Sequence, residues 1–147
     1  MKNTHININK RRYKVPLKPI VVICIDGCDP EYLDIALQKN CIPTIENFME
    51  IGSYNIADSV IPSFTNPNNM SIVTGCPPSV HGICGNYLLD PDSGQEVMMN
   101  DVKFLRAPTI FKSFQEINKK IGIITAKDKL RALLGAGLTC LLYTSDA

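Results

Sequence analysis

The fold is decided by the stretch Ile20-Val-Val-Ile-Cys-Ile25, which Asp26 and Gly27 follow directly. Six consecutive apolar residues, five of them β-branched, predict a strand buried on both faces, as central strands of parallel sheets are. Next, Asp29 and Pro30 predict the start of a helix over Pro30–Gln38, because aspartate caps helix N-termini and proline suits the first turn. A strand that leads into a helix is the repeating unit of α/β proteins.

The rest of the chain continues this alternation of helices and strands. Strands alternating with helices predict an α/β domain whose mainly parallel sheet is flanked by helices. The further elements predicted are, in chain order, a helix from Thr44 to Gly52, a strand over residues 54–60, a helix from Asn66 and Pro67 to Gly75, a surface hairpin over residues 88–97, a helix from Pro108, a strand over residues 121–125 and a helical turn over residues 130–134.

The composition is that of a globular protein with little net charge. Of 147 residues, 45% are hydrophobic and 20% charged, and the formal net charge is +1. These values exclude a disordered tail, a collagen-like fibre and a coiled coil, and they give no electrostatic case for nucleic acid or an anionic membrane. Basic residues concentrate in residues 1–18, which are predicted to form a polar leader that stays solvated.

The compartment is predicted from apolar runs and cysteines. No apolar stretch approaches the ~20 residues needed to cross a bilayer, and the run at residues 20–25 is too short for a secretory signal. The six cysteines are therefore expected to be reduced thiols of a cytoplasmic protein. Cys76, His81 and Cys84 raise the alternative of a zinc site, although no Cys-x2-Cys pair supports it.

Polar clusters follow three of the predicted strands, and the first of them is Asp26. The carboxyl ends of parallel strands line one sheet edge, where ligands bind, so the three clusters are expected to converge on one cleft. Asp26 is predicted to be a metal ligand, because a hard or borderline cation needs an anionic partner. A helix cap or turn former is the alternative for this residue.

Thr65 is the candidate nucleophile of the second cluster. It lies at the entrance of the predicted Asn66/Pro67 helix, where unpaired N–H groups and the helix dipole can hold a phosphoryl or phosphonyl group. A threonine hydroxyl is a weak nucleophile without a base or a metal. No neighbouring His or Lys offers itself as that base, which leaves a metal as the expected activator. An ordinary helix cap is the alternative.

The third cluster is the pair Lys127 and Lys129. Two such lysines are commonly solvated charges, but their position at the same sheet edge favours a second anion site. Asn86 could donate its side-chain N–H to a bound oxyanion or shape a turn. For His81, in a loop rich in turn residues, a structural role is favoured over metal binding.

Three motifs in these clusters resemble those of the alkaline phosphatase superfamily. They occur in the expected order and cover nearly the whole chain, from about residue 19 to residue 138. The likeness is greater to the nucleotide pyrophosphatase/phosphodiesterase branch and, within it, to the family of phosphonoacetate hydrolases. The motifs are Ile25-Asp-Gly27 with Pro62–Gly75, which contains Thr65-Asn-Pro-Asn-Asn69, then His81-Gly-Ile-Cys-Gly-Asn-Tyr87 and Thr125-Ala-Lys-Asp-Lys-Leu-Arg131.

The resemblance implies an alkaline phosphatase-like fold and hydrolysis of the carbon–phosphorus bond of phosphonoacetate to acetate and phosphate, with two zinc ions. It implies that Asp26 and Thr65 are zinc ligands and that Thr65 attacks phosphorus. Asn86 would hold a phosphonyl oxygen, while Lys127 and Lys129 would hold the substrate carboxylate. The implied partner is a small-molecule phosphonate, with no nucleic acid and no membrane. Homodimer formation by a full-length parent is left open.

The chain departs from this family in length. Family members are much longer, and their remaining zinc ligands lie toward the C-terminus; the two histidines of this chain match no ligand position. Residues 19–138 are therefore expected to be the N-terminal part of one catalytic domain, inactive alone, and residues 139–147 a non-native or frayed tail. Two alternatives stay open: a phosphodiesterase or nucleotide pyrophosphatase of the same superfamily, and a non-catalytic anion-binding α/β fragment.

Overall fold

The computed structural model describes residues 4–139 and divides the chain into two compact units. The smaller unit runs from Ile20 to Asp58, and the larger unit comprises the residues up to Pro19 together with those from Ser59 onward. Within residues 4–139, no helix combines the length and the apolar character that crossing a membrane requires.

The smaller unit contains the two helices predicted for it. α1 spans Pro30–Gln38, and Asp29 caps it by accepting the N–H of Glu31 at 2.9 Å. α2 spans Pro43–Ile51 and ends at Gly52. Its start lies one residue before the predicted one, because Pro43 itself suits the first helical turn. Both helix predictions are therefore confirmed.

The three predicted strands over residues 20–25, 54–60 and 121–125 do not form, apart from a single bridge at Gly122. Both ladders within residues 4–139 are antiparallel hairpins, so the predicted parallel pairing is absent from this part of the chain. The five β-branched side chains of the first segment are 60% to 81% exposed. A parallel strand needs a hydrogen-bonding neighbour and a layer over each face, and the described residues cover neither face of this one.

The N-terminal segment, predicted to be a solvated leader, instead forms a hairpin that is part of the larger unit. β1 (His5–Ile8) pairs with β2 (Arg11–Lys14), and both isoleucines of β1 are buried. Asn9, in the turn, donates from Nδ2 to the carbonyl oxygens of Thr74 at 2.8 Å and Pro108 at 2.9 Å. The prediction of a solvated tail is wrong. Apolar and polar residues alternate in β1, which is the pattern of a strand with one buried face, although the segment around it is rich in basic residues.

The larger unit holds the main core. The predicted hairpin at residues 88–97 is confirmed, and one apolar cluster packs the helix that begins at Thr65 against the helix that begins at Asp128. The elements are α3 (Thr65–Thr74), α4 (Pro78–His81), β3 (Tyr87–Leu89), β4 (Glu96–Met98), a 3-10 turn (Val102–Phe104), α5 (Ile110–Glu116) and α6 (Asp128–Leu134). The buried members of the cluster are Met70, Val73, Ile83, Met99, Ile123, Leu130, Leu133 and Leu134.

Gly82 is the position where this packing tolerates a side chain least. Its φ is +90°, and a Cβ there would collide with the carbonyl oxygen of Phe104 and crowd the side chain of Arg106. We expect Gly82→Ala to lower the free energy of unfolding by about 2–4 kcal/mol, part from the left-handed backbone and part from the collision. Urea unfolding monitored by circular dichroism measures this loss.

Gly94→Ala is the matched control for that substitution. Gly94 has a φ of +67°, and a Cβ there would meet nothing within 4 Å. Only the backbone cost of about 1–2 kcal/mol is therefore expected. Equal losses in the two variants would contradict a steric role for the contact between Gly82 and Phe104.

Candidate active site

Thr65 is the first residue of α3, which begins one residue before the predicted position. Phe64 occupies the cap position, and its side chain makes no capping hydrogen bond. The alternative of Thr65 as an ordinary helix cap is therefore wrong. The N–H groups of Thr65 and Asn66 precede the first intrahelical bond, which runs from the Asn68 N–H to the Phe64 carbonyl oxygen at 3.2 Å, and the dipole makes this end of the helix positive. A negative group beside Thr65 is stabilised by both effects.

Two asparagines fix the start of α3. Asn68 accepts the N–H of Val60 at 3.0 Å through Oδ1 and donates through Nδ2 to the Phe64 carbonyl oxygen at 3.0 Å. Asn69 donates to the carbonyl oxygen of Thr65 at 2.9 Å. These asparagines position the Thr65 backbone, a role that the sequence analysis did not assign to them.

Lys127 approaches Thr65 from the start of α6. It is the residue before that helix, and its backbone N–H donates to Thr125 Oγ1 at 3.2 Å. Its Nζ donates to Thr65 Oγ1 at 3.4 Å, although the two residues are 62 positions apart. Tertiary packing therefore brings a lysine to the threonine hydroxyl, a neighbour that the sequence did not indicate. Lys127 is the donor in this contact, so the expectation that no His or Lys offers itself as the base for Thr65 stays a prediction.

One cavity of about 530 Å³ joins four of the predicted site residues. Thr65, Asn86, Lys127 and Lys129 all line it, and its volume suits a small molecule. Lys129 Nζ lies 2.7 Å from the Sδ atom of Met98. The catalytic and binding roles of the four residues stay predictions. The other lining residues are Asn66, Tyr87, Met98, Asp128 and Leu130.

Sequence reasoning missed those five lining residues, for which the signals differ. Tyr87 follows Asn86 within the second motif, and Asp128 lies between the two lysines. Their adjacency to predicted site residues was therefore a signal for both. Met98 had no signal, because it enters the cavity from β4 of the surface hairpin. The carboxylate of Asp128 pairs with Arg131 at 3.2 Å, which leaves the pair of lysines as the main positive charge of the lining.

Asp26, the other predicted metal ligand, belongs to the smaller unit, where it follows Ile25 in an exposed turn. Its role stays a prediction. Within residues 4–139, no group of three or more His, Cys, Asp and Glu side chains is arranged to hold a metal ion. Zinc sites use three or four protein ligands. The described residues therefore do not make a zinc centre by themselves.

His81 is fully buried, and its ring is hydrogen-bonded on both sides. Nδ1 accepts the N–H of Ile83 at 3.1 Å, and Nε2 lies 2.9 Å from Ser71 Oγ. Burial, and then the nearby guanidinium of Arg106, lower the pKa of His81 below its ordinary value of 6.5. A ring with both nitrogens occupied has no lone pair for zinc, so the alternative of a zinc site with Cys76 and Cys84 is wrong and the structural role is favoured.

Because the pKa of His81 is lowered in the native state, acid should destabilise the chain through this residue. Below about pH 6.5 the imidazole of the unfolded chain takes up a proton, whereas that of the native state does not until the pH reaches its lowered pKa. The free energy of unfolding therefore falls as the pH drops from about 6.5 toward the lowered pKa, and above about pH 6.5 the effect is absent. We expect His81→Gln to flatten this part of the dependence of Tm on pH. His5→Gln, at an exposed histidine, is the control. An unchanged profile in His81→Gln would exclude His81 as the source.

A family model described as type I phosphodiesterase / nucleotide pyrophosphatase matches residues 20–133. The solved phosphonoacetate hydrolase of Sinorhizobium meliloti 1021, in complex with phosphonoacetate, superposes with a TM-score of 0.88 at 55% identity. The same enzyme in complex with phosphonoformate gives 0.88 at 56% identity. Each comparison covers 94% of this chain and 33% of the solved chain, so the chain spans one third of the length of that hydrolase.

Curated relatives share a smaller part of the sequence. The ectonucleotide pyrophosphatase/phosphodiesterase C27A7.3 of Caenorhabditis elegans is 33% identical over 106 residues, which are 67% of this chain and 14% of the relative. The ectonucleotide pyrophosphatase/phosphodiesterase C27A7.1 of the same organism is 40% identical over 76 residues, 50% of this chain and 8% of the relative. The chain thus spans a small fraction of the length of these proteins.

Proposed function

Because this chain belongs to the type I phosphodiesterase / nucleotide pyrophosphatase family, we propose that it is the N-terminal third of a phosphonoacetate hydrolase. Its α/β, alkaline phosphatase-like fold class is confirmed by the superposition on the Sinorhizobium meliloti enzyme. The proposed reaction cleaves the carbon–phosphorus bond of phosphonoacetate and yields acetate and phosphate. The observation that carries the proposal is one cavity lined by a threonine hydroxyl and two lysines.

The charges of the cavity complement those of the proposed substrate. Phosphonoacetate has a phosphonate and a carboxylate separated by one methylene group, so it needs two adjoining anion sites. The N-terminal end of α3 offers the first, beside Thr65. Lys127 and Lys129 offer the second, and Asn86 would donate its side-chain N–H to a phosphonyl oxygen.

The proposed chemistry begins with attack of Thr65 Oγ on phosphorus. As the new O–P bond forms, the C–P bond breaks and its electron pair moves to the methylene carbon, which takes a proton from water to become the methyl group of acetate. The hydroxide left from that water accepts the proton that Thr65 Oγ loses. Water then hydrolyses the phosphothreonine and releases phosphate. Charge spreads onto the carboxylate during C–P cleavage, so cations fixed there stabilise the transition state more than the ground state.

Zinc is the cofactor proposed for this reaction, two ions per complete site. Asp26 supplies a carboxylate oxygen and Thr65 a hydroxyl oxygen, donor types that zinc accepts, and the remaining ligands would come from residues that this chain does not contain. When bound, zinc supplies a Lewis acid that lowers the pKa of a coordinated hydroxyl group.

The remaining proposals concern the setting of the enzyme. We propose that the full-length protein is a cytoplasmic enzyme of phosphonate catabolism and that residues 19–138 are part of its one catalytic domain. A second copy of the full-length protein would be its partner in a homodimer. The tail predicted over residues 139–147 lies, from Cys140 onward, outside the described residues.

The test is a chimera in which residues 4–138 of this chain precede the remaining two thirds of the Sinorhizobium meliloti hydrolase. We expect the chimera with zinc to release phosphate from phosphonoacetate, and the isolated chain to release none. The second candidate function is phosphodiester hydrolysis, which the family model and the curated relatives favour. Faster turnover of a chromogenic phosphodiester than of phosphonoacetate would reject the first function for the second.

A further inference from the structure

The imidazole of His81 connects α3 to the backbone that follows α4. A backbone N–H can only donate, so the bond from Ile83 at 3.1 Å requires Nδ1 to be without a proton. The neutral ring then carries its proton on Nε2, which donates to Ser71 Oγ at 2.9 Å. The two contacts together select one tautomer.

We propose that His81 is a positioning residue, which holds α3 through Ser71 so that Thr65 faces the cavity. Ser71 lies in the same helix as Thr65, six residues later, or about 9 Å along the axis. A helix moves as a rigid rod over that distance, so a rotation at Ser71 displaces the Thr65 hydroxyl.

Few polar contacts determine the rotation of α3 about its axis. Phe64, at its cap position, makes no side-chain capping bond, and the buried residues of the helix are mainly apolar, which permits sliding. Asn68 ties the first turn to Val60, and Asn9 ties the last turn to the N-terminal hairpin. The His81–Ser71 bond lies between these two anchors and is a directional contact in the middle of the helix.

Two substitutions separate the two contacts of the ring. In His81→Asn, the Oδ1 atom can replace Nδ1 as acceptor from Ile83, but nothing reaches Ser71. In His81→Gln, the amide nitrogen can replace Nε2 as donor to Ser71, while the bond to Ile83 is lost. A purely structural role predicts similar damage from both variants, whereas a positioning role predicts damage from the first.

The first measurement uses nitrogen NMR on the isolated 147-residue chain. At about pH 7 we expect an unprotonated Nδ1 and a protonated Nε2 at His81; the opposite tautomer or an imidazolium would overturn the proposal. We expect His81→Asn and Ser71→Ala to shift the amide signals of Thr65 and Asn66, and His81→Gln to leave them near their original positions. Unchanged signals in Ser71→Ala, which keeps the imidazole, would also overturn it.

The second measurement is steady-state kinetics on the chimera, normalised to folded protein. We expect His81→Asn to lower kcat by up to roughly a hundredfold with little change in KM, and His81→Gln to retain most of kcat. Equal kcat values in both variants would overturn the proposal. It rests on the proposed function only in taking Thr65 as the reacting group, so a chimera without phosphonoacetate turnover would reject that function, while the NMR measurement would still decide the role of His81.

Discussion

Alanine in place of Thr65 is expected to abolish phosphonoacetate turnover by the chimera, lowering kcat by at least about three orders of magnitude. The substitution removes the oxygen that would attack phosphorus, and among the described residues that line the cavity only Tyr87 has another hydroxyl group. The cationic side chains that would bind the substrate remain, so KM is expected to change little. Single-turnover assays of phosphate release separate this loss of chemistry from a loss of binding.

Thr65→Ser is the matched control. It keeps the hydroxyl and loses one methyl group, so we expect kcat to stay within about tenfold to a hundredfold of the original value. Phosphothreonine trapped by rapid acid quench should appear in the unsubstituted chimera and be missing from Thr65→Ala. Normal turnover in Thr65→Ala would show that another group attacks phosphorus.

The second large effect is expected from Lys129→Ala. Loss of a charge-assisted hydrogen bond to the substrate carboxylate costs roughly 1.5–3 kcal/mol, which lowers kcat/KM for phosphonoacetate by about tenfold to a hundredfold. A phosphodiester without a carboxylate cannot form this hydrogen bond with the Lys129 ammonium group, so the kcat/KM for the phosphodiester should hardly change. The ratio of the two kcat/KM values is the measurement.

Two further lysine variants sharpen this comparison. Lys127→Ala should impair both substrates, because its Nζ also lies 3.4 Å from Thr65 Oγ1. Lys103→Ala removes a lysine that stacks over the Phe104 ring and does not line the cavity, so it should impair neither. Equal losses for both substrates in Lys129→Ala would mean that this lysine does not recognise the carboxylate.

Much of the local structure could be predicted, because short-range chemistry determines it. Asp29 caps α1 as its residue type suggests, and Gly75 ends α3 in the left-handed conformation that glycine favours. The position of Thr65, Lys127 and Lys129 after predicted strands pointed to one cleft, and these three residues line one cavity together with Asn86.

Long-range features could not be predicted in the same way. Contacts such as Lys127 to Thr65 and Lys129 to Met98 depend on how α6 packs on α3 and on the hairpin, which no local pattern encodes. A strand also depends on hydrogen-bonding neighbours. The run at residues 20–25 has the composition of a strand, but it pairs with no other strand within residues 4–139. The basic residues of β2 led to the prediction of a solvated leader, although β1 alternates apolar and polar residues and its two isoleucines are buried.

The exposed segment from Ile20 to Ile25 also has a colloidal consequence for this chain as a separate molecule. It is uncharged, β-branched and free of proline, which are the properties of short segments that stack into intermolecular sheets. Its flanks carry Pro19 and Asp26, residue types that act as gatekeepers against such stacking. Asp26 would thus act as the charged residue at the end of this aggregation-prone hexapeptide. How long the chain stays dispersed should then depend on its concentration as much as on its folding stability.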